Sequence, residues 1–457
     1  MSKSSVPREI LDFIELPGNH SFLVKGLPGT GKTIFSLSLM KEFVGRRSCI
    51  YLTSGVSERD ILSQHPWLKE EMIFTPDGNP LMDMRLTTPS NAIKVILDSL
   101  RSSDLVIIDS WDYYANLIPR EDRDKAEVSI VSSASALDSF VIFVGERLRS
   151  LSLDYLVDGI VSLRKFEIEG RLVRELVLEK LRGVRIRRTR YIFTLKGGLF
   201  RYSEPWNWKF VPKHLRKRVE PTPLTEEGSL PSKIEGLDEI IGGGWKRGSI
   251  NLLEVYEGVG NRYLAFLVPS GQTHIQRGDS LIDLPSTAFR EADIIKSFIE
   301  GYVYPEPEER LRFILPSPSA EGIGSKYVLP IYLDEPEDAA RQFIKYASGL
   351  IKRSKNEALY MIIGLDTLEN EMGPDGASEF LYHVASWVKT NNVFCFVIMK
   401  EGQRIPRRII HIANTHFKIR PKDGSVVIYG VVPETKAMIL ETSFEKGYAR
   451  AYLIPIE

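Results

Sequence analysis

Cysteine is nearly missing from this sequence: Cys49 and Cys395 stand alone in 457 residues. Two thiols cannot build a disulfide framework or a cysteine-rich zinc site, and they fit a reducing, cytoplasmic setting. Net charge is missing as well, because Lys plus Arg and Asp plus Glu both total 60. No global attraction to nucleic acid or to an anionic membrane is expected, which leaves only local patches for such contacts. No uninterrupted apolar run reaches the roughly 18–20 residues that span a bilayer, so no membrane partner is expected. The opening residues MSKSSVPREILDF lack the apolar stretch and cleavage site of a signal peptide. The seven histidines show no metal-ligand spacing, and Gly-x-Ser-x-Gly is absent, so nothing supports an acyl-transfer enzyme. What remains is a globular composition, 43% hydrophobic and 26% charged, in a chain too long for one compact core.

One segment carries recognisable chemistry. Gly26-Leu27-Pro28-Gly29-Thr30-Gly31-Lys32-Thr33 fits the G-x-x-x-x-G-K-[ST] phosphate-binding loop, with Ile34 next in line. Glycines let the backbone bend and aim its N–H groups at phosphate oxygens. Lys32 is placed to reach the β and γ phosphates, and the Thr33 hydroxyl to ligate Mg²⁺. Ser21–Lys25 reads as a strand ending at the loop. Ile34, Leu37, Met40 and Val44 recur at helical spacing after it. The helix start adds its positive dipole end to the site.

A Mg²⁺ partner is expected at the end of a second buried strand. Leu105-Val-Ile-Ile-Asp109 supplies four apolar residues and then a carboxylate, which can hold a metal-bound water beside the phosphates. Ile93, Ile96, Leu97 and Leu100 lie on one helical face before it, so the order is strand, helix, strand and the sheet is parallel.

The pattern then repeats in weakened form. A basic stretch, Lys213–Arg218, precedes a Pro-, Thr- and Glu-rich segment that reads as a linker. Beyond it, Gly258-x-Gly260 matches Gly29-x-Gly31, but Asn261 and Arg262 stand where Lys32 and Thr33 stand in the first half. Met361-Ile-Ile-Gly-Leu-Asp366-Thr367 echoes Val106-Ile-Ile-Asp109-Ser110. The second half therefore reads as a diverged copy that keeps the fold and loses the nucleotide chemistry. Arg262 has a second reading, as a residue holding an anion.

The residues Gly236-Leu-Asp-Glu-Ile-Ile-Gly-Gly-Gly244, with Arg247-Gly-Ser and a phosphate-type loop after them, resemble the RecA-fold ATPases of the KaiC and archaeal RadA type. Pro7–Phe13, the loop with its flanks, and Thr53-Ser-Gly-Val-Ser57 through His65-Pro-Trp67 are similar to the archaeal GvpD-like proteins, P-loop proteins linked to gas-vesicle gene regulation. The resemblance implies an α/β protein of two tandem RecA-like domains with mainly parallel central sheets, the second degenerate. The expected division is 1–218 for the ATP-binding domain, 219–232 for the linker and 233–457 for the degenerate domain. It also implies ATP with Mg²⁺, a cytoplasmic regulatory switch, an unidentified protein partner and a homo-oligomer. In KaiC-like rings a Lys-x-Arg-Gly tail reaches the neighbouring subunit's nucleotide, and the matching residues here are Lys180 and Arg182 before Gly183.

One departure concerns hydrolysis. RecA-fold ATPases place a glutamate just after the second core strand to orient the attacking water, and here Cys49–Thr53 is followed by Ser54-Gly55-Val56. Glu58 and Asp112 are the candidates for that task. Glu58 also reads as a first-turn acid of a helix capped by Ser57, and Asp112 as a solvated loop acid. Slow turnover is expected, with a binding-only scaffold as an alternative. Arg182, Arg185, Arg187, Arg188 and Arg190 alternate in part with Val184 and Ile186, as on a half-exposed strand. They read as a subunit interface, a solvated face, or a nucleic-acid contact. The last would make the chain a RadA-like repair accessory ATPase on single-stranded DNA.

Overall fold

The computed structural model describes residues 5–457 apart from 45, 69–79, 147–150, 205, 207–210, 287–298, 321–324, 404–406 and 445. The chain divides into two compact units. The first comprises Met1–Pro205 together with Ile456–Glu457, and the second Trp206–Pro455.

Among the described residues, unit 1 is built on a nine-stranded sheet of β1 (Ser21–Lys25), β2 (Cys49–Thr53), β3 (Leu81–Asp83), β4 (Leu105–Asp109), β5 (Phe140–Gly145), β6 (Gly159–Ile168), β7 (Arg171–Leu181), β8 (Arg190–Thr194) and β9 (Arg201–Tyr202). Their order is β3-β2-β4-β5-β1-β6-β7-β8-β9. The strands from β3 to β6 run parallel, and the β6–β7 hairpin begins an antiparallel extension. Continuous apolar runs make this sheet because both faces are covered. Along β4, Leu105 and Ile107 point into one core layer with Phe22, Val24 and Tyr51, while Val106 and Ile108 point into the other with Leu23, Leu52 and Phe143. That period of two, apolar on both sides, is what a buried parallel strand requires.

Among the described residues, unit 2 holds an eleven-stranded sheet of β10 (Ile234–Glu235), β11 (Ser249–Val255), β12 (Ser280–Leu284), β13 (Leu311–Pro316), β14 (Val328–Ile331), β15 (Leu359–Gly364), β16 (Val393–Lys400), β17 (Thr415–Lys422), β18 (Ser425–Val432), β19 (Met438–Ser443) and β20 (Arg450–Pro455). The run β13-β12-β15-β16-β11-β17-β18 repeats the run β3-β2-β4-β5-β1-β6-β7 strand for strand. Directions repeat too: β11 is parallel to β16 and β17, and β17 turns back antiparallel into β18. The two α/β units are thus tandem copies of one RecA-like topology.

The arginine segment departs from its expected form. Residues 182–189 follow β7 as a turn and irregular chain rather than a strand. Val184 and Ile186 pack on the core, and Arg185 and Arg187 are exposed, so the alternation reflects anchoring of a loop instead of sheet pairing.

Candidate nucleotide site

The phosphate-binding loop leaves β1 at the strand ends of the parallel sheet, where such sheets hold ligands. Gly29 and Gly31 have φ of 74° and 99°, a region open to glycine at low cost. Gly26 is fixed by crowding, since a Cβ there would lie 2.5 Å from the Thr30 hydroxyl and 2.7 Å from the Leu163 carbonyl. Gly31 precedes the helix Lys32–Phe43 and provides no side-chain cap, so the first N–H groups of that helix face the loop. The Lys32 ammonium is buried and donates to the Gly26 carbonyl at 2.8 Å and the Leu27 carbonyl at 3.3 Å. Burial holds its pKa below the usual lysine range, opposed by the negative charges of Glu146, Asp109 and Asp112.

Asp109 ends β4 beside the loop. Its Oδ2 accepts from the Thr33 hydroxyl at 2.6 Å and from the Tyr51 hydroxyl at 2.5 Å. Tyr51 is fully buried, and burial together with the Asp109 charge drives its pKa well above the usual phenol range. Tyr51 is therefore a donor at any ordinary pH. Two cis ligands at ~2.1 Å in an octahedral Mg²⁺ shell lie about 3 Å apart. The Thr33–Asp109 oxygen pair fits that arrangement after a small opening, and fits more easily still with Asp109 acting through a water.

A cavity of about 410 Å³ opens over the loop. Pro28, Gly29, Gly31, Lys32, Thr33 and Ile34 form its floor, with Asp109, Ser110 and Glu146 on one side, and Val56, Ile61, His65 and Leu195 among its other walls. Gly26, Leu27 and Thr30 complete the loop outside this lining. The Thr30 hydroxyl bonds the Leu27 carbonyl at 2.8 Å and stiffens the turn.

Ser57 caps the helix Glu58–Gln64, accepting from the Asp60 N–H, and Glu58 stands in its first turn, outside the cavity lining. Asp112 accepts the backbone N–H of Glu146. Lys180 and Arg182 lie at the far end of β7, opposite the start of β6, because the hairpin reverses direction. The Lys180 ammonium bonds the Val157 and Asp154 carbonyls at 2.6 and 3.3 Å, and Arg182 pairs with Asp158 at 2.6 Å. The same reversal brings Arg174 and Lys165, which face each other across the hairpin, to the loop. Arg174 donates to the Gly29 carbonyl at 3.0 Å, and the Lys165 ammonium would lie 3.4 Å from a Cβ on Gly29.

Tyr51, Glu146, Lys165 and Arg174 were not legible as site residues in the sequence. A hydroxyl inside a fully apolar strand was the available signal for Tyr51. For Glu146 it was the glutamate that directly follows both β5 and β16.

The second loop is built differently. Gly260–Tyr263 forms a tight 3₁₀ turn, and the Arg262 guanidinium folds back onto the Val259 carbonyl at 2.8 Å and onto the Gly258 carbonyl. β15 ends at Gly364, so Asp366 falls in the first turn of the helix Leu365–Thr390 rather than at the strand end. The acid of the sequence echo is thus set beyond the place Asp109 takes.

Residues 11–179, which contain the loop, Tyr51, Asp109 and Glu146, match the family model described as GvpD gas vesicle protein, P-loop domain. The chain resembles the GvpD proteins. Its similarity extends through both units: it is 24% identical to Protein GvpD1 and to Protein GvpD2 of Halobacterium salinarum, over 94% of its own length and 92% of theirs in each case. Among the described residues no helix is long and apolar enough to cross a membrane. No group of three or more His, Cys, Asp or Glu side chains among them could hold a metal on its own.

Proposed function

We propose that unit 1 binds ATP with Mg²⁺ and that this GvpD-like chain works as a nucleotide-dependent regulatory switch in the cytoplasm, with slow hydrolysis resetting it. The observation that carries the reading is the loop itself: a buried lysine, a helix N-terminus and the Thr33–Asp109 oxygen pair converge on one open cavity. When bound, Mg²⁺ would neutralise charge on the phosphates, with Thr33 as ligand and Asp109 holding a metal-bound water. Lys32 would exchange its two carbonyl partners for phosphate oxygens. Ordering of the loop by nucleotide, and its release after hydrolysis, is the switching step.

Lys180 and Arg182 enter only as groups that a neighbouring copy would supply, and their trans role belongs to a homo-oligomer. The test is nucleotide binding and turnover for the wild type and Lys32→Ala across protein concentration. Lys32-dependent ATP binding is the expected result, with turnover per chain rising with concentration if the neighbour contributes. ATP binding unaltered in Lys32→Ala would remove the reading. Tight binding with no turnover would leave a scaffold held by its nucleotide.

A further inference from the structure

We infer that Glu146 is the carboxylate that orients and deprotonates the attacking water in unit 1, taking over the task of the glutamate that is missing after β2. The inference rests on the ATP reading above and names the catalytic residue that reading lacks.

β5 lies beside β1, with Gly145 opposite Lys25, and the Gly26 N–H bonds the Gly145 carbonyl at 3.2 Å. The residue after Gly145 therefore stands at the mouth of the phosphate-binding loop. Its backbone is held there, since the Glu146 N–H donates to Asp112 Oδ2. Gly145 makes room for that contact, because a Cβ on it would lie 3.2 Å from the same Asp112 oxygen. Asp112 thus serves as an anchor for the backbone of Glu146, and its carboxylate is not directed at the cavity.

Among the described residues, two carboxylates line the cavity, Asp109 and Glu146. Asp109 is engaged by Thr33 and Tyr51 at 2.6 and 2.5 Å, which suits a metal-holding role. The Glu146 carboxylate has no hydrogen-bond or ion-pair partner among the described residues and is exposed to the cavity's water. Its charge is the foremost of those acting on Lys32, so carboxylate and ammonium share one site.

The second unit provides an internal contrast. Glu401 follows β16 as Glu146 follows β5, but its Oε2 accepts the backbone N–H of Glu257 in the degenerate loop at 3.0 Å. The copy without the lysine uses this glutamate to fasten its loop. The copy with the lysine leaves it facing the phosphate site.

The step balances without a further reactant. A water held by Glu146 gives one proton to the carboxylate as its oxygen bonds to the γ-phosphorus. The bond from that phosphorus to the bridging oxygen breaks, and its electron pair leaves on ADP. The proton then passes to phosphate or solvent.

Glu146→Gln keeps the size and removes the base. The expected result is an ATP affinity within about threefold of wild type and a kcat lower by ~10²–10⁴, the range general acid–base catalysis contributes. The acid limb of the wild-type pH profile of kcat should vanish in the variant. A kcat within about threefold of wild type would overturn the assignment and leave the ATP reading standing. So would a wild-type chain that binds ATP but never turns it over. Lys32→Ala, run alongside, separates the two ideas, because its failure to weaken ATP binding removes the nucleotide reading itself. An unchanged melting temperature for Glu146→Gln establishes that the variant is folded.

Discussion

Unit 1 and unit 2 place equivalent strands in the same order, and both set a glycine-containing loop after the strand that lies between β5 and β6 in one and between β16 and β17 in the other. What differs is where their polar side chains are spent. In unit 1, Lys32 faces a cavity, Asp109 ends its strand, and Tyr51 reaches across from the neighbouring strand to hold it. In unit 2, Arg262 and Glu401 are turned inward onto backbone groups of their own loop. The two units thus share a sheet, while the charged side chains beside their two loops have different partners. The Arg262 guanidinium is half-buried, where a charge without a partner is costly, and its bonds to the Val259 and Gly258 carbonyls supply that partner.

The largest effect in this comparison should come from a buried ionic group of unit 2. Asp279 is fully buried and accepts from Ser354 and from the Asn356 N–H at 2.7 and 3.0 Å, with Arg277 as its ion-pair partner. Burial alone would raise its pKa, but His274, Ser354 and Arg277 outweigh that and hold it below the usual carboxylate range. Asp279→Ala leaves the Arg277 charge partly stranded and should destabilise unit 2 by about 3–5 kcal/mol, read by denaturant unfolding. A carboxyl whose pKa is lower folded than unfolded stabilises above the unfolded value of ~3.9, and that stabilisation is lost as pH falls through the folded value. The wild-type stability should therefore drop below about pH 4, and the variant's profile should be flatter there. ATP binding at unit 1 should be unaltered by Asp279→Ala, and a parallel loss of affinity would break the division of labour.

Next in size is Lys32→Ala. A hydrogen bond to a charged group contributes about 1.5–3 kcal/mol, so ATP affinity should fall by roughly ten- to a hundredfold in a calorimetric or fluorescence titration. Alanine is a good helix former at this first helical position, so the fold should be retained even though the two carbonyl bonds of Lys32 are lost.

Tyr51→Phe is smaller and more selective. Phenylalanine fills the same volume, so the change removes one donor to Asp109 and leaves no cavity. The expected cost is about 1 kcal/mol, seen as a weaker dependence of ATP binding on Mg²⁺ with little change when Mg²⁺ is chelated. An equal loss with and without the metal would show that Tyr51 acts on packing instead of on Asp109.

How much of this was readable beforehand depends on how far apart in the chain the partners are. The phosphate-binding loop was legible because its residues are consecutive and each type has a chemical reason to be there. β1 and β4 fell where their apolar runs put them, and Ser57 caps the helix its position suggested. The doubling of the sheet was visible in Gly258-x-Gly260. Glu146 was hidden because its nearness to Lys32 exists only once β5 has been inserted between β4 and β1, a crossover that no local pattern reveals. Arg174 and Lys165 were hidden by the same cause, since the hairpin's reversal decides which of its ends meets the loop. Asp366 misled in the opposite way: two residues of added chain moved an acid from strand end to helix.

The smallest expected effect sharpens the comparison most. Arg262 could have inherited a phosphate, being a cation in the diverged loop, yet its guanidinium donates to Val259 and Gly258. Arg262→Ala removes those bonds at a half-exposed position, which should cost no more than about 1 kcal/mol of stability. ATP affinity of the whole chain should change by less than about twofold, against the large loss for Lys32→Ala. A tenfold fall, or a second binding event in wild type that disappears in this variant, would mean that unit 2 still holds an anion and that its loop opens to do so. Equal binding isotherms for wild type and Arg262→Ala would place all the nucleotide chemistry in unit 1, where Lys32 and the Thr33–Asp109 pair already face one cavity.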